Sequence, residues 1–371
     1  MDCKKALIYI VYSRLLISRI PPLNESARVG VKEKTMKKMP FSLAVVLVLS
    51  FLPSQAQIRL GENTSVVFAT VEEGQKILMQ RDDFVERLSP FDRAARMKTD
   101  EAVSEEEFLK FVGVNVLRWD DQDKQKVITA FQKIKPSLDS LSLPFPNEVF
   151  VIKTTGNEEG GAAYTRSNAI VLTKSVLNAP LATIQKLICH ELFHIMSRAN
   201  PDLREQLYET IGFVKCKELT FPSELKSRKI TNPDAPRNDH CIRLEVNGKT
   251  YWSLPILFSN SEKYDVEQGG EFFNYLQFQF LLVEWNEGSS VVTPIYDGGK
   301  PKRFGIQQVS GFFEQVGRNT GYIIHPEEIL ADNFALLVLG ERNLPSPEVV
   351  EKIENILKEG APNQCMDKDK K

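Results

Sequence analysis

The chain has 371 residues, of which 42% are hydrophobic and 26% are charged, and its formal net charge is −2. This length and apolar content suffice to bury a substantial core, so the composition is that of a folded protein rather than a disordered one. A balance this close to neutrality lacks the basic excess of nucleic-acid binders, and we expect no nucleic-acid partner.

The N-terminal region has the composition of an export signal. Lys37 and Lys38 precede an apolar run over 41–52, and small residues stand at the −3 and −1 positions of a cleavage site after Ala56. We expect a signal peptide that begins near Met36 and directs export to the periplasm or out of the cell. The alternative is an uncleaved anchor, but about a dozen apolar residues are short for a membrane span. No stable membrane span is expected after cleavage.

Hydrophobic spacing and turn residues divide the chain into six segments. They are 1–35, an upstream extension or mis-start; 36–56, the signal peptide; 57–148, a helical N-terminal region; 149–200, a sheet and then a helix; 201–321, a helix and then a β-rich insertion; and 322–371, an acidic helix followed by a C-terminal helix or tail. Within 57–148, helical periodicity is expected over 71–88, 105–116 and 123–141. This combination of helical and β-rich segments predicts an α+β fold.

Three short strands are predicted over 149–153, 162–165 and 169–172, because β-branched and aromatic residues there are bounded by glycine-rich and Ser-Asn turns. They form a small mixed sheet with an edge strand. A helix follows from Leu181 to Asn200, where Pro201 ends the apolar stripe.

That helix carries the sequence His190-Glu191-Leu192-Phe193-His194. Histidines at i and i+4 lie on one helical face, where each can give a nitrogen to Zn²⁺, and Glu191 stands beside the metal's open position. The alternative is a pair of hydrogen-bonded core histidines without metal. Metal is the more economical partner, because unsatisfied polar groups in a core are costly.

A second helix is predicted to start at Pro326, and its acidic residues supply the third ligand that a catalytic zinc needs. Glu328 and Asp332 lie one turn apart on this helix, a spacing that suits a zinc ligand and a carboxylate that fixes a histidine tautomer. Glu327 is a rival ligand. An ordinary solvated acidic helix start is the alternative for all three residues.

His-Glu-x-x-His followed by Glu-x-x-x-Asp resembles the gluzincin branch of the zincin metallopeptidases, which includes thermolysin-like enzymes. The resemblance implies that His190, His194 and Glu328 bind Zn²⁺, that Glu191 is the general base, and that Asp332 orients a ligating histidine, His190 in the first instance. It is carried by two short stretches of the chain.

The resemblance also implies a peptide or protein substrate, hydrolysed by zinc-activated water whose proton Glu191 takes. An upstream edge strand would bind the substrate main chain, for which Ala162, Ala163 and Tyr164 are the candidates, with a plain hairpin as the alternative. Four residues are candidate donors to the transition state, and the sequence does not choose among them. They are Tyr322, His325, His240 and Tyr164.

The insertion contains a strong hairpin signal at Asn247-Gly248 and an aromatic stretch over 272–280 that we expect to pack a core. Of the cysteines that remain after cleavage, Cys216 and Cys241 are the preferred pair, and Cys189 is expected to be a buried thiol.

Two functions of different class remain open. One is an exported zinc peptidase; the other is a zincin-like scaffold that holds metal or binds a peptide without turnover. Glu191 favours the enzyme, because a purely structural metal site needs no base.

Overall fold

The computed structural model describes residues 58–61 and 63–359, and in this part of the chain the α+β prediction is confirmed. Helices and strands alternate in the N-terminal half of the chain; farther along, most strands come together and the last helices follow them. The α-helices are α1 (Val71–Leu78), α2 (Asp83–Arg87), α3 (Pro90–Arg96), α4 (Glu105–Val114), α5 (Asp121–Asp139), α6 (Lys174–Leu177), α7 (Leu181–Ala199), α8 (Pro201–Glu209), α9 (Ser223–Lys226), α10 (Phe312–Val316), α11 (Pro326–Leu339) and α12 (Pro347–Glu359).

A mixed sheet forms the base of the N-terminal half. Its strands are β1 (Arg59–Leu60), β2 (Thr64–Phe68), β3 (Val116–Leu117), β4 (Glu148–Thr154), β5 (Tyr164–Arg166) and β6 (Ala169–Thr173). The order is β1-β2-β4-β6-β5, and β3 pairs with the end of β4. Strands β2, β4 and β6 are parallel, whereas β5 runs antiparallel to β6 and lies at the edge. An edge strand therefore precedes α7 in the chain.

Both faces of this sheet are covered by helices. Val151 of β4 faces the main core with α5 and α7, and the next residue, Ile152, faces a second core with Phe84 and Phe108 from the N-terminal helices. Alternation along the strand places successive side chains on opposite faces. This is why β6 is buried at every position.

The N-terminal helices are set by their caps. Thr70, Ser89 and Ser104 each accept a hydrogen bond from the backbone N–H three residues on, and an acidic side chain there returns the bond. The periodic segment over 71–88 is two helices, because Asp82 caps a new helix by accepting from Val85 N–H. Region 57–148 also contributes three strands, β1 to β3, which helical periodicity alone did not indicate.

Helix α7 lies at the centre of the molecule. It packs against α5, α8 and α11 and against strands β5 and β6. Apolar side chains on its flanks, among them Ile188 and Leu192, join Phe334 of α11 in the main core. The packing of α7 on α11 brings together two segments far apart in the sequence.

A second sheet fills the insertion. Its strands are β7 (Phe213–Lys215), β8 (His240–Val246), β9 (Lys249–Ser259), β10 (Leu276–Glu284), β11 (Thr293–Pro294) and β14 (Arg303–Phe304), beside a small ribbon of β12 (Tyr296–Asp297) and β13 (Lys300–Pro301). Asn247 and Gly248 turn β8 into β9 with φ of 50° and 76°, the backbone that an Asn-Gly turn adopts. Phe272, Tyr275 and Phe280 are buried in the main core.

The predicted extension, signal peptide and charged tail lie outside the described residues. Among the residues that are described, none of the helices combines the length and apolarity that crossing a membrane requires.

Candidate metal centre

Three side chains from two helices converge on one point. His190 and His194 stand one turn apart on α7, and Glu328 comes from the first turn of α11. Glu328 Oε2 lies 3.0 Å from His190 Nε2 and 3.7 Å from His194 Nε2, and the three ligand atoms lie within 4.8 Å of one another. All three residues are at most 2% exposed. This group could hold a metal ion.

The outer nitrogen of each ring is held by a carboxylate. His190 Nδ1 donates to Asp332 Oδ1 at 3.0 Å, and His194 Nδ1 donates to Glu327 Oε1 at the same distance. Because a carboxylate can only accept, these bonds place the ring hydrogen on Nδ1 and turn Nε2 toward the centre. Glu327 is therefore an orienting residue for His194, as Asp332 is for His190, and it is not part of the three-ligand group.

The two orienting carboxylates are themselves fixed. Asp332 accepts from the hydroxyl of Thr320, and Glu327 accepts from Tyr208 and, at 2.8 Å, from Ser197. These supporting hydroxyls come from neighbouring segments, so the arrangement is set by tertiary packing. Sequence reasoning missed them, since nothing in their local pattern indicates the role.

His194 Nε2 gives the test of whether a metal fits. It is fully buried, and no described residue makes a hydrogen bond to it. A buried polar atom without a partner is costly, and a cation between two imidazole nitrogens and a carboxylate oxygen would satisfy it. The ligand set, two nitrogens and one oxygen, is one that Zn²⁺ accepts.

The surrounding charge favours a cation. Burial lowers the pKa of His190, but Asp332 and Glu328 on its two sides outweigh that effect and raise the pKa to about 10. A positive charge at this point is thus stabilised. A metal ion would compete with the proton for the same nitrogen.

Glu191 faces the centre from the side of the edge strand. Its carboxylate is 1% exposed and accepts a hydrogen bond of 2.8 Å from the hydroxyl of Thr165 on β5. Thr165 is a site residue that the sequence analysis missed. Alternation along β5 could have found it, because Thr165 and Tyr164 must point to opposite faces.

A segment of the insertion crosses the centre, and we call residues 231–237 the strap. Asn232 donates to Glu328 Oε1 at 2.6 Å, and the carboxylate of Asp234 lies within 4.8 Å of ligand atoms of Glu191 and His194. Burial raises the pKa of Asp234 to about 7, with repulsion from Glu191 and Glu328 adding to it and attraction to His194 opposing it. No sequence pattern pointed to the strap.

A cavity that is open to solvent lies between β5 and the strap. Of the predicted substrate strand, Tyr164 begins β5, whereas Ala162 and Ala163 precede the observed strand; all three residues border the cavity. Most of its remaining lining is apolar. This lining includes Ile230, Leu257, Phe272, Phe273, Leu276 and Ile324.

The four candidate donors occupy different places. Tyr322 borders the cavity and stacks on His190, with ring centroids 6.0 Å apart. The Tyr164 hydroxyl donates to Glu158. His240 lies between Glu205 and Asp239, and His325 caps α11 by accepting from Glu327 N–H. The structure therefore brings only Tyr322 of this set to the cavity with its ring against a ligand.

Among the described residues, Cys189, Cys216 and Cys241 are not part of the group that could hold a metal. Burial raises the pKa of Cys189 to about 12, in keeping with an inert thiol. Cys216 and Cys241 are free thiols whose sulfur atoms lie 2.9 Å apart. Their pairing by oxidation stays a prediction.

Comparisons with protein families, curated proteins and solved structures gave no match to this chain. The site is therefore assigned by its own geometry: a His-x-x-x-His pair and a distant Glu within metal-binding distance, in an α+β protein.

Proposed function

We propose that this chain is a zinc metallopeptidase of the gluzincin type, exported through the signal peptide that begins near Met36. The observation that carries the proposal is the unpartnered, fully buried Nε2 of His194, which faces His190, Glu328 and the base Glu191. A structural site has no need of a carboxylate such as Glu191 that stays outside the ligand set.

His190, His194 and Glu328 would hold the metal, and Asp332 and Glu327 would keep the two imidazoles in the metal-binding tautomer. Bound zinc supplies a Lewis acid that polarises a scissile carbonyl and lowers the pKa of water. The two orienting bonds matter because a ring turned by a few tens of degrees would lose its ligand nitrogen.

Glu191 supplies the proton transfers. Its carboxylate takes the proton of the attacking water and delivers it to the nitrogen of the leaving amine. The Thr165 hydroxyl, which donates to Glu191 Oε2, holds that carboxylate in place. Tyr322 is the donor candidate whose position at the cavity suits the oxyanion.

The test has two parts, both on the full chain. Zinc content is measured after dialysis for the wild type and for Glu328→Ala; the variant is expected to lose the metal. Products from a mixture of unfolded proteins are then mapped by mass spectrometry for the wild type, for Glu191→Gln and for Glu72→Gln, an exposed control. Cleavage that is lost only in Glu191→Gln supports the peptidase.

Zinc binding without cleavage by the wild type would contradict turnover and would favour the metal-binding or peptide-binding scaffold. Cleavage that persists unchanged in Glu191→Gln would contradict the role given to this carboxylate.

A further inference from the structure

The outer edge of β5 is closed beyond Ala163. Tyr164 and Arg166 lie opposite Val171 and Ala169 of β6, and between them the N–H of Thr165 points away from the sheet and donates to Asp234 Oδ1 at 2.6 Å. A substrate main chain that extended along this edge would need that N–H. The strap occupies it instead.

The strap is fastened at both ends. At its start, Thr231 N–H and hydroxyl both donate to the buried carboxylate of Asp92, the hydroxyl at 2.8 Å. At its other end, Arg237 makes a bidentate pair with Asp83, at 2.8 and 2.9 Å. Such anchors make the strap a fixed wall of the cleft.

Arg198 of α7 connects the strap to the residue that follows β5. Its guanidinium donates to the carbonyl of Ser167, just after β5, and to the carbonyls of Pro233 and Asp234. The cleft is thus closed on the Thr165 side. Away from the strap the cavity is bordered by Gly160, Gly161 and Ala162. Asp234 lines this cavity and its carboxylate lies within 4.8 Å of that of Glu191, so a peptide that enters the cavity and extends toward Glu191 meets the strap.

The charge at the closed end decides which terminus fits there. Asp234 lies beside the Glu191 carboxylate, where an α-ammonium would favour the ionised form of Asp234 and an α-carboxylate would be repelled. Arg198 is directed at the backbone, where its Nη1 and Nη2 donate to carbonyl oxygens of Ser167 and Asp234. A carboxylate that accepts one N–H keeps further lone pairs for an ammonium group.

We propose that Asp234 binds the α-ammonium group of a peptide, so that substrates enter by their N-terminus and residues are removed from that end. This inference rests on the proposed function for its hydrolytic part; the recognition of the ammonium group is independent of turnover.

Recognition is measured by binding. The full chain carrying Glu191→Gln is loaded with zinc, and two peptides that differ only in N-terminal acetylation carry a fluorophore on a C-terminal lysine. Fluorescence anisotropy is expected to show about ten- to a hundredfold tighter binding of the free-amine peptide, the range for a charge-assisted hydrogen bond. Equal binding of the two peptides would overturn the proposal.

Asp234→Asn in the same background should reduce the preference to about twofold or less, while Asp297→Asn, at an exposed carboxylate, should leave it intact. Zinc content and the far-ultraviolet circular dichroism spectrum show whether Asp234→Asn still folds. If it does not, Asp234→Glu takes its place and is expected to retain a preference for the free amine.

Product mapping with the wild type separates this inference from the proposed function. Stepwise loss of N-terminal residues, with acetylated peptides resistant, is the expected result. Internal cleavage of both peptides at equal rates by the wild type would contradict the inference about Asp234, while the peptidase proposal would still hold. Absence of any cleavage, with the preference for the free-amine peptide retained, would contradict the proposed peptidase activity but would support the binding of an α-ammonium group by Asp234.

Discussion

The two walls of the candidate metal centre are built differently. The helical wall consists of α7 and α11, and two hydrogen bonds join these helices: His190 with Asp332 and His194 with Glu327. The strap has no regular structure, and its position depends on partners from other segments, such as Asp92 and Arg198. The comparison shows that helix spacing fixes where ligands lie, whereas irregular backbone is placed by buried side chains that anchor it.

Removal of the strap's buried anchor should have the largest effect. Asp92 is fully buried, pairs with Arg96 at 2.7 Å, and accepts from Thr231. Asp92→Asn leaves the Arg96 charge less well compensated, and we expect a loss of about 3–5 kcal/mol in the free energy of unfolding, measured by denaturant titration. Glu106→Gln, at an exposed pair with Lys110, should leave the free energy of unfolding nearly unchanged. A similar small change for both would mean that the strap has other anchors of equal strength.

Acid should weaken the start of α11. Burial lowers the pKa of His325 to about 4, and its neutral ring accepts from Glu327 N–H. Between pH 6.5 and 4, His325 becomes protonated in the unfolded state but stays neutral in the folded state. The contribution of His325 to the free energy of unfolding is therefore complete above pH 6.5 and is lost as the pH falls to 4.

The loss attributable to His325 is about 3 kcal/mol at pH 4. Its measure is the unfolding free energy of the wild type against pH, compared with that of His325→Asn, which retains a capping side chain. The variant should show a shallower decline between pH 6.5 and 4. Parallel curves would rule out His325 as the source.

On the helical wall, loss of one orienting carboxylate should weaken the metal site without unfolding it. Asp332→Asn removes the charge that holds His190 Nδ1, and we expect zinc affinity to fall about 10- to 100-fold in competition titrations with a chelator. Glu327→Gln should act similarly through His194. Unchanged affinity in both variants would indicate that the rings are held by packing alone.

The smallest effect is expected where the two walls meet, at Thr165. Thr165→Val removes the hydroxyl that donates to Glu191 but keeps the backbone N–H that donates to Asp234. If the chain is a peptidase, kcat should fall about tenfold with KM little changed, since a hydrogen bond to a charged carboxylate, worth about 1.5 kcal/mol, is lost. Thr165→Ser should retain most of the activity. A rise in KM instead would place Thr165 in substrate binding.

The sequence by itself determined the parts of this site that lie within one helix. An i, i+4 spacing fixes two side chains on one face whatever the surroundings, so the pairing of His190 with His194, and of Glu328 with Asp332, follows from their positions in the chain. The α+β class and the Asn247-Gly248 turn followed from equally local patterns.

Only the tertiary structure decided which segments meet. The orientation of Glu327 toward His194, the Thr165 hydroxyl on Glu191 and the course of the strap all depend on contacts between residues far apart in the chain. Such contacts produce no periodic pattern in the sequence, because irregular backbone is positioned by individual buried hydrogen bonds and ion pairs. For that reason the residues of the group that could hold a metal were predicted from the sequence, whereas the closed end of the cleft was not.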